Sequence, residues 1–326
     1  MKSKVALLAC TLFVSLTLQA PGQTNLRDHL EEGGFRPQKR AQQEADLIAG
    51  RAGSLTREGL IAAEKRQYDK ALSLYTAALA TKPNGTDSAL IYDARAYTHL
   101  QKKDFTKVIA DENEAIAREA KFARAYLNRG TAYRFLGDQQ KAVADFNAAI
   151  KHQPDYDLAY SNLGVIYAVQ GDYPRSLQNL SEAIRLFRDD HETFSLRATV
   201  HYLTGNYKKA EDDMARAVKL APKNAFNLKT LAWLKATCPE DSLRDGKQAV
   251  ETATKACGLT NWNDWLCIDV LAAAYAELGD FEKAMKYQQQ ALTGKNVPAA
   301  WTKYMQQRLA LYRQGKPFRD FPKLSR

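Results

Sequence analysis

No catalytic signature runs through this sequence. A GxSxG elbow, a GxGxxG turn, a Walker loop and an HExxH pair are all missing, and Gly246-Lys247 lacks the upstream glycine of a phosphate loop. Histidine is scarce. His29, His99, His152, His191 and His201 are scattered, and none shares a metal-ligand spacing with a cysteine. Adjacent carboxylates such as Asp189-Asp190 and Asp212-Asp213 are expected at helix surfaces or ends, where solvated charge is the ordinary state. These gaps speak against an enzyme, a metal site or a cofactor.

Long apolar runs are equally rare. The one at the start, VALLACTLFVSLTL, follows the lysines of MKSK and precedes Gln19-Ala20. That is the layout of a secretory signal peptide over residues 1–20, and the run is short for a membrane span. An exported chain, periplasmic or secreted, is therefore expected. An uncleaved anchor and a lipoprotein, suggested by Leu7-Leu8-Ala9-Cys10, are the weaker alternatives, since the apolar run continues past the cysteine.

The charge is basic, +10 over the whole chain, but unevenly spread. From Ala299 onward come Lys303, Arg308, Arg313, Lys316, Arg319, Lys323 and Arg326 against a single acid, Asp320. Such a segment, 299–326, can touch an anionic membrane surface. An exported protein meets little nucleic acid, so no nucleic-acid partner is expected.

What is present is a repeat. Residues 123–156 align on 157–190 without a gap: Tyr126 on Tyr160, Gly130 on Gly164, Tyr133 on Tyr167, and Gly137-Asp138 on Gly171-Asp172. The same step reaches 191–224 and, backwards, 89–122; 52–85 is a further copy, separated by Thr86 to Ser88. Residues 265–298 repeat it cleanly, whereas 225–264 is about six residues longer, with TCPEDSLRDG in place of the tight turn. The period carries an aromatic at position 4 in four units (Tyr92, Tyr126, Tyr160, Phe194), mostly small residues at 8, 20 and 27, an aromatic near 24 in some, and proline at 32 in some.

This combination resembles the tetratricopeptide repeat, and the ending from Leu231 onward resembles one that recurs in bacterial repeat proteins. The resemblance implies an all-α fold, a right-handed superhelical solenoid of about seven helical hairpins over 52–298, closed by a capping helix and basic tail in 299–326. Ahead of it, residues 21–51 read as a linker and a lead-in helix. His99 and His201 fall at position 11, where Tyr133 and Tyr167 sit in sister units, and so read as packing residues.

Arginine and aspartate covary between units. Position 7 is Arg95, Arg129 and Arg197 in three of them, and position 23 is then Asp111, Asp145 and Asp213. Where position 7 is Leu163, position 23 is Asn179. A partly buried guanidinium needs a carboxylate, so the three pairs read as structural ion pairs across each hairpin.

In this repeat geometry, positions 2, 5, 6, 9, 12 and 13 of the first helices face a concave groove. The expected lining is Tyr97, Arg124, Asn128, Thr131, Arg134, Phe135, Asn162, Val165, Tyr202, Lys229 and Trp233. The resemblance implies a protein or peptide partner there. The two-carboxylate clamp of chaperone-binding members is not expected, because Asp93, Leu127 and Ser161 occupy position 5. The first alternative is a membrane-associated envelope assembly factor, held by the signal anchor or the basic tail.

Beyond Cys10, the cysteines are Cys238, Cys257 and Cys267. Cys238 and Cys257 end antiparallel helices at opposite ends of one hairpin, about 15–20 Å apart, beyond the roughly 7 Å between Cα atoms that a disulfide spans. A bridge, if one forms, is expected between Cys257 and Cys267; buried free thiols are the alternative.

Overall fold

The structure, a computed structural model, describes residues 45, 46 and 48–320. The signal segment, the linker, most of the lead-in helix, and Lys323 and Arg326 lie outside those residues. The described residues are all-helical and fall into two bodies, one ending at Phe187 and the other beginning at Arg188.

The first body comprises α1 (Gly50–Glu64), α2 (Tyr68–Ala80), α3 (Gly85–Gln101), α4 (Phe105–Arg118), α5 (Ala123–Phe135), α6 (Gln139–His152), α7 (Asp157–Val169) and α8 (Tyr173–Leu186). The second comprises α9 (His191–Leu203), α10 (Tyr207–Leu220), α11 (Ala225–Thr237), a 3-10 turn at Asp241–Leu243, α12 (Gly246–Leu259), α13 (Trp265–Leu278), α14 (Phe281–Leu292) and α15 (Ala299–Tyr312). Odd- and even-numbered helices pair as antiparallel hairpins up to α13/α14, and α15 then packs its Trp301, Met305 and Tyr312 onto the last hairpin.

The turn inside a hairpin is built from two residues. Gly137 takes φ +87°, a conformation that glycine adopts without strain, and Asp138 then caps α6 by accepting from the Lys141 amide at 3.1 Å. Asp104, Asp172 and Asp280 cap α4, α8 and α14 in the same way. Thr86 to Ser88, extra to the repeat, form no loop. They lengthen α3 by one turn at its start, where the Asn84 side chain accepts from the Asp87 amide at 2.8 Å.

The six surplus residues of 225–264 make the 3-10 turn, and Arg244 ties it down. Its guanidinium donates to the Cys238 carbonyl at 2.8 Å and to Glu277 Oε1 at 2.9 Å.

Within hairpins the small residues at positions 8, 20 and 27 let the helices close on a large side chain at position 24. Tyr75, Phe146, Leu180 and Met214 hold that place and are buried. A Cβ added to Gly130 would lie 2.9 Å from the Phe146 ring and 3.1 Å from Asp145 Cβ. Gly130→Val is therefore expected to lose roughly 1–3 kcal/mol by overpacking. Urea denaturation at equilibrium checks this; an unchanged midpoint would mean that α5 and α6 can separate without cost.

Candidate functional site

The three arginines at position 7 are scaffold. Arg129 Nε and Nη2 donate to Asp145 Oδ2 and Oδ1 at 2.9 and 2.7 Å, a two-pronged pair joining α5 to α6. Arg95–Asp111 and Arg197–Asp213 repeat it at 2.7–2.9 Å. The third nitrogen reaches the preceding hairpin: Arg95 Nη1 meets Thr76 Oγ1 at 3.1 Å, and Arg129 Nη1 meets Asn113 Oδ1 at 2.6 Å. One side chain thus closes its own hairpin and fastens it to the one before. His99 and His201 sit near the same carboxylates, and burial lowers both imidazoles despite the charge of Asp111 and Asp213, so they pack as neutral rings.

Several residues expected in the groove are instead interior. Arg124 pairs with Asp93 at 2.7–2.8 Å, and Asn128 donates to Asp93 Oδ1 at 3.1 Å and to Glu112 Oε1 at 2.8 Å. All four side chains are buried between α3, α4 and α5. Arg124 and Asn128 are therefore committed to a buried polar cluster and cannot hold a peptide. The cluster holds two carboxylates and one guanidinium, which pairs with Asp93. Glu112 is pushed well above the ordinary carboxylate range, chiefly by burial and then by the negative charge of Asp93. Both effects favour its protonated form.

Thr131 and Val165 are buried too, Thr131 Oγ1 donating back to the Leu127 carbonyl at 2.8 Å. Asn162 is half-buried and donates to the Leu158 carbonyl at 2.8 Å. What stays open in the first body is the far end of the first helices: position 9 in α3 alone, position 12 in α5 and α7, and position 13 in all three. Tyr97, Gln101, Arg134, Phe135 and Ala168 are half-buried there, and Val169 is exposed. Arg134 lies over the Phe135 ring at 4.5 Å, and that ring stacks on Phe105 at 4.9 Å, 10° from parallel. Burial lifts the Tyr97 hydroxyl to about 12, so it is un-ionised.

In the second body the expected lining is closed. Lys229 is buried against Asp264 at 3.3 Å; burial opposes its charge, but Asp264 outweighs that and keeps its pKa above the usual lysine value. Trp233 is buried and donates from Nε1 to Asp320 Oδ2 at 2.9 Å. Tyr202 is half-buried beside it. Two of the seven basic residues of 299–326 are spent internally. Arg308 makes a buried two-pronged pair with Asp269 at 2.7 Å, and Arg319 meets Glu277 Oε2 at 2.6 Å.

Cys257 and Cys267, the expected bridge, are buried free thiols, as is Cys238. Cys267 Sγ donates to Asp264 at 3.3 Å, and burial pushes its thiol up to about 12. Among the described residues no three His, Cys, Asp or Glu side chains are arranged to hold a metal, and no helix is long and apolar enough to cross a membrane.

Two sequence profiles of the tetratricopeptide repeat match the chain, over residues 123–156 and 152–304. This is a tetratricopeptide-repeat (TPR) protein. Its hairpins resemble those of Pseudomonas aeruginosa pilF, at 13% identity over 68% of this chain and 99% of that one, with a TM-score of 0.59. They also resemble the C-terminal part of a TPR repeat-containing protein from Cytophaga hutchinsonii, at 18% identity over 75% and 96% of the two chains, with a TM-score of 0.55. A chain of the Cut9–Hcn1 hetero-tetramer of APC/C aligns at 18% identity over 85% of this chain and 52% of its own, with a TM-score of 0.54. These likenesses concern the fold. No curated protein matches the sequence.

Arrays of TPR hairpins serve as protein-interaction scaffolds, and this chain is one in that general sense. Two features of the TPR pattern pointed to its polar interior. Position 24, apolar in sister repeats, is Glu112 in one and Gln288 in another. Gln288 is fully buried and donates to Asp269 Oδ1 at 2.7 Å, the carboxylate that also holds Arg308.

Two outcomes follow from these clusters. Arg129→Leu strands the Asp145 carboxylate and is expected to cost about 3 kcal/mol. Adding Asp145→Asn, which installs the Leu and Asn of the α7/α8 hairpin, should return at least about 1 kcal/mol of it; urea denaturation of the three chains checks the ordering. Glu112 holds its proton more tightly folded than unfolded. Its contribution is full below the unfolded pKa and is lost as pH rises through the folded one. Glu112→Gln should therefore gain on the parent as pH rises above about 5, measured as the difference in Tm. A difference independent of pH would show that Glu112 is ionised in the fold.

Proposed function

We propose that this is an exported, non-catalytic TPR scaffold that holds an extended segment of a partner protein along the open strip at the far ends of α3, α5 and α7. The observation that supports it is the composition of that strip. An un-ionised tyrosine lies on α3, Phe135 on α5 stacks on Phe105 of α4 under the Arg134 guanidinium, and an exposed valine lies on α7. Rigid aromatic faces, one cation and an aliphatic edge suit a peptide that brings apolar side chains and an acidic group. The Arg95 and Arg129 pairs behind the strip fix the helices that carry it.

The basic segment 299–326 supports membrane attachment less well, since Arg308 and Arg319 are already paired with Asp269 and Glu277. Export rests on the signal-like residues 1–20.

The test is affinity capture from an envelope extract, with the full chain lacking only residues 1–20 and a variant carrying Arg134→Glu, Phe135→Ala and Val169→Asp. A partner held by the parent and lost by the variant is the expected result. Equal capture by both would refute the strip as the site. Subcellular fractionation with N-terminal sequencing tests export; a cytoplasmic chain that keeps Met1 would refute it.

A further inference from the structure

The strip that is open in the first body is occupied in the second. After α15 the chain turns at Gly315 and runs without regular structure through residues 316–320. Phe318 sets its ring 5.8 Å from that of Trp233. The Arg308 guanidinium lies over both rings, at 5.6 and 5.5 Å. Arg319 Nη1 reaches Glu277 Oε2 at 2.6 Å. The Asp320 amide donates to the Thr237 carbonyl at 2.9 Å, and its carboxylate accepts from Trp233 Nε1 at 2.9 Å.

The positions of the receiving residues matter. Trp233 is position 9 of its repeat, Thr237 and Glu277 are position 13, and the half-buried Tyr202 is position 12. Positions 12 and 13, with Tyr97 at position 9 of α3, form the open strip of the first body. The contacts are also those a bound peptide makes. The segment gives a backbone amide to one of the carbonyls left unsatisfied at the end of α11, a ring to an aromatic face, and an acid and a base to groups of opposite character.

We propose that this place on α9, α11 and α13 is a peptide-binding site for extended segments of aromatic–basic–acidic sequence, with Phe318-Arg319-Asp320 as its resident and displaceable ligand. A partner carrying the same three chemical groups gains the site by competing with the chain's own segment. The hold is limited. Burial raises the Asp320 carboxyl even against the hydrogen bond from Trp233, so its charge is disfavoured where it lies. The inference rests on the reading of the repeat's inner strip as a binding face, but on different helices, so either can fail alone.

The experiment uses the full chain and a fluorescein-labelled peptide of sequence GKPFRD, that of residues 315–320. Phe318→Ala, which frees the site in cis, should bind the peptide at least about tenfold more tightly than the parent by fluorescence anisotropy. Adding Trp233→Leu to that variant should abolish binding, and so should replacing the peptide's aspartate by alanine. In the parent, the Asp320 amide should exchange hydrogen at least about a hundredfold faster than the interior amides of α11, through opening of the segment alone. Peptide affinity equal in parent and variant, or Asp320 exchange only together with α11, would overturn the proposal. A Phe318→Ala chain that does not fold would overturn it as well, by making the segment part of the core. Loss of peptide binding with the first-body strip still capturing its partner would refute this site and leave the scaffold reading standing.

Discussion

Everything in the molecule depends on how closely two helices of a hairpin approach at one point, where a residue with at most a methyl group at position 8 faces a large side chain at position 24. Gly59 lies under Tyr75, Gly130 under Phe146 and Gly164 under Leu180, and a Cβ at any of the three would come within 3.0 Å of that partner. The contact is hydrophobic and non-directional, so it sets distance but not rotation. Rotation is fixed by the two-pronged arginine–aspartate pairs, whose planar geometry accepts only one relative placement of α5 and α6, or of α3 and α4. An aromatic at position 4 flanks each such arginine, as Tyr126 flanks Arg129 at 5.5 Å. The pair is sheltered enough to stay formed and too exposed to carry a full desolvation penalty.

The same constraint explains what the sequence made legible. A period of 34 with glycine or alanine at fixed offsets announces hairpins, and the joint appearance of Arg129 with Asp145 and of Leu163 with Asn179 announces a contact across the seam. Both signals are periodic, and both describe a residue's own hairpin. Contacts to the next hairpin are written differently. Arg124 and Asn128 stand at positions that face inward, which says nothing about whether Asp93 and Glu112 on the preceding hairpin will take them up. Their burial became visible only with the neighbour in place. A hint was present in Glu112, an acid at a position that Tyr75, Phe146, Leu180 and Met214 fill elsewhere, because a carboxyl group in that place must find a hydrogen-bond donor or keep its proton.

The residues at the second body's strip were illegible for another reason. Trp233 reads as a groove aromatic from its position, and the structure buries it. What covers it, Phe318 and Asp320, belongs to a segment with no period and no helix pattern, so no alignment of repeats could place it. Lys229 was lost to the interior through Asp264, which sits in the junction before α13 and outside the repeat register. Irregular segments carry their information in single contacts, and single contacts are not visible in spacing.

In the first body, position 13 of α3, α5 and α7, position 12 of α5 and α7, and Tyr97 at position 9 emerge as the part of the repeat that packing does not consume. Positions 2, 5 and 6 lie where successive first helices meet, and there the chain spends polar side chains on one another: Arg124 on Asp93, Asn128 on Glu112, Lys229 on Asp264. Farther along the same helices Leu100, Thr131 and Val165 are buried, but Tyr97, Gln101, Arg134, Phe135 and Ala168 remain half-open and Val169 is exposed. In the second body the same three positions bury an aromatic ring, a carboxylate and a backbone amide from residues that are not part of any hairpin. The hairpin seams need small residues and the first-helix seams need matched polar groups. That leaves the far ends as the place where the sequence is free to vary without loss of the fold, and so the place where a binding preference can be written.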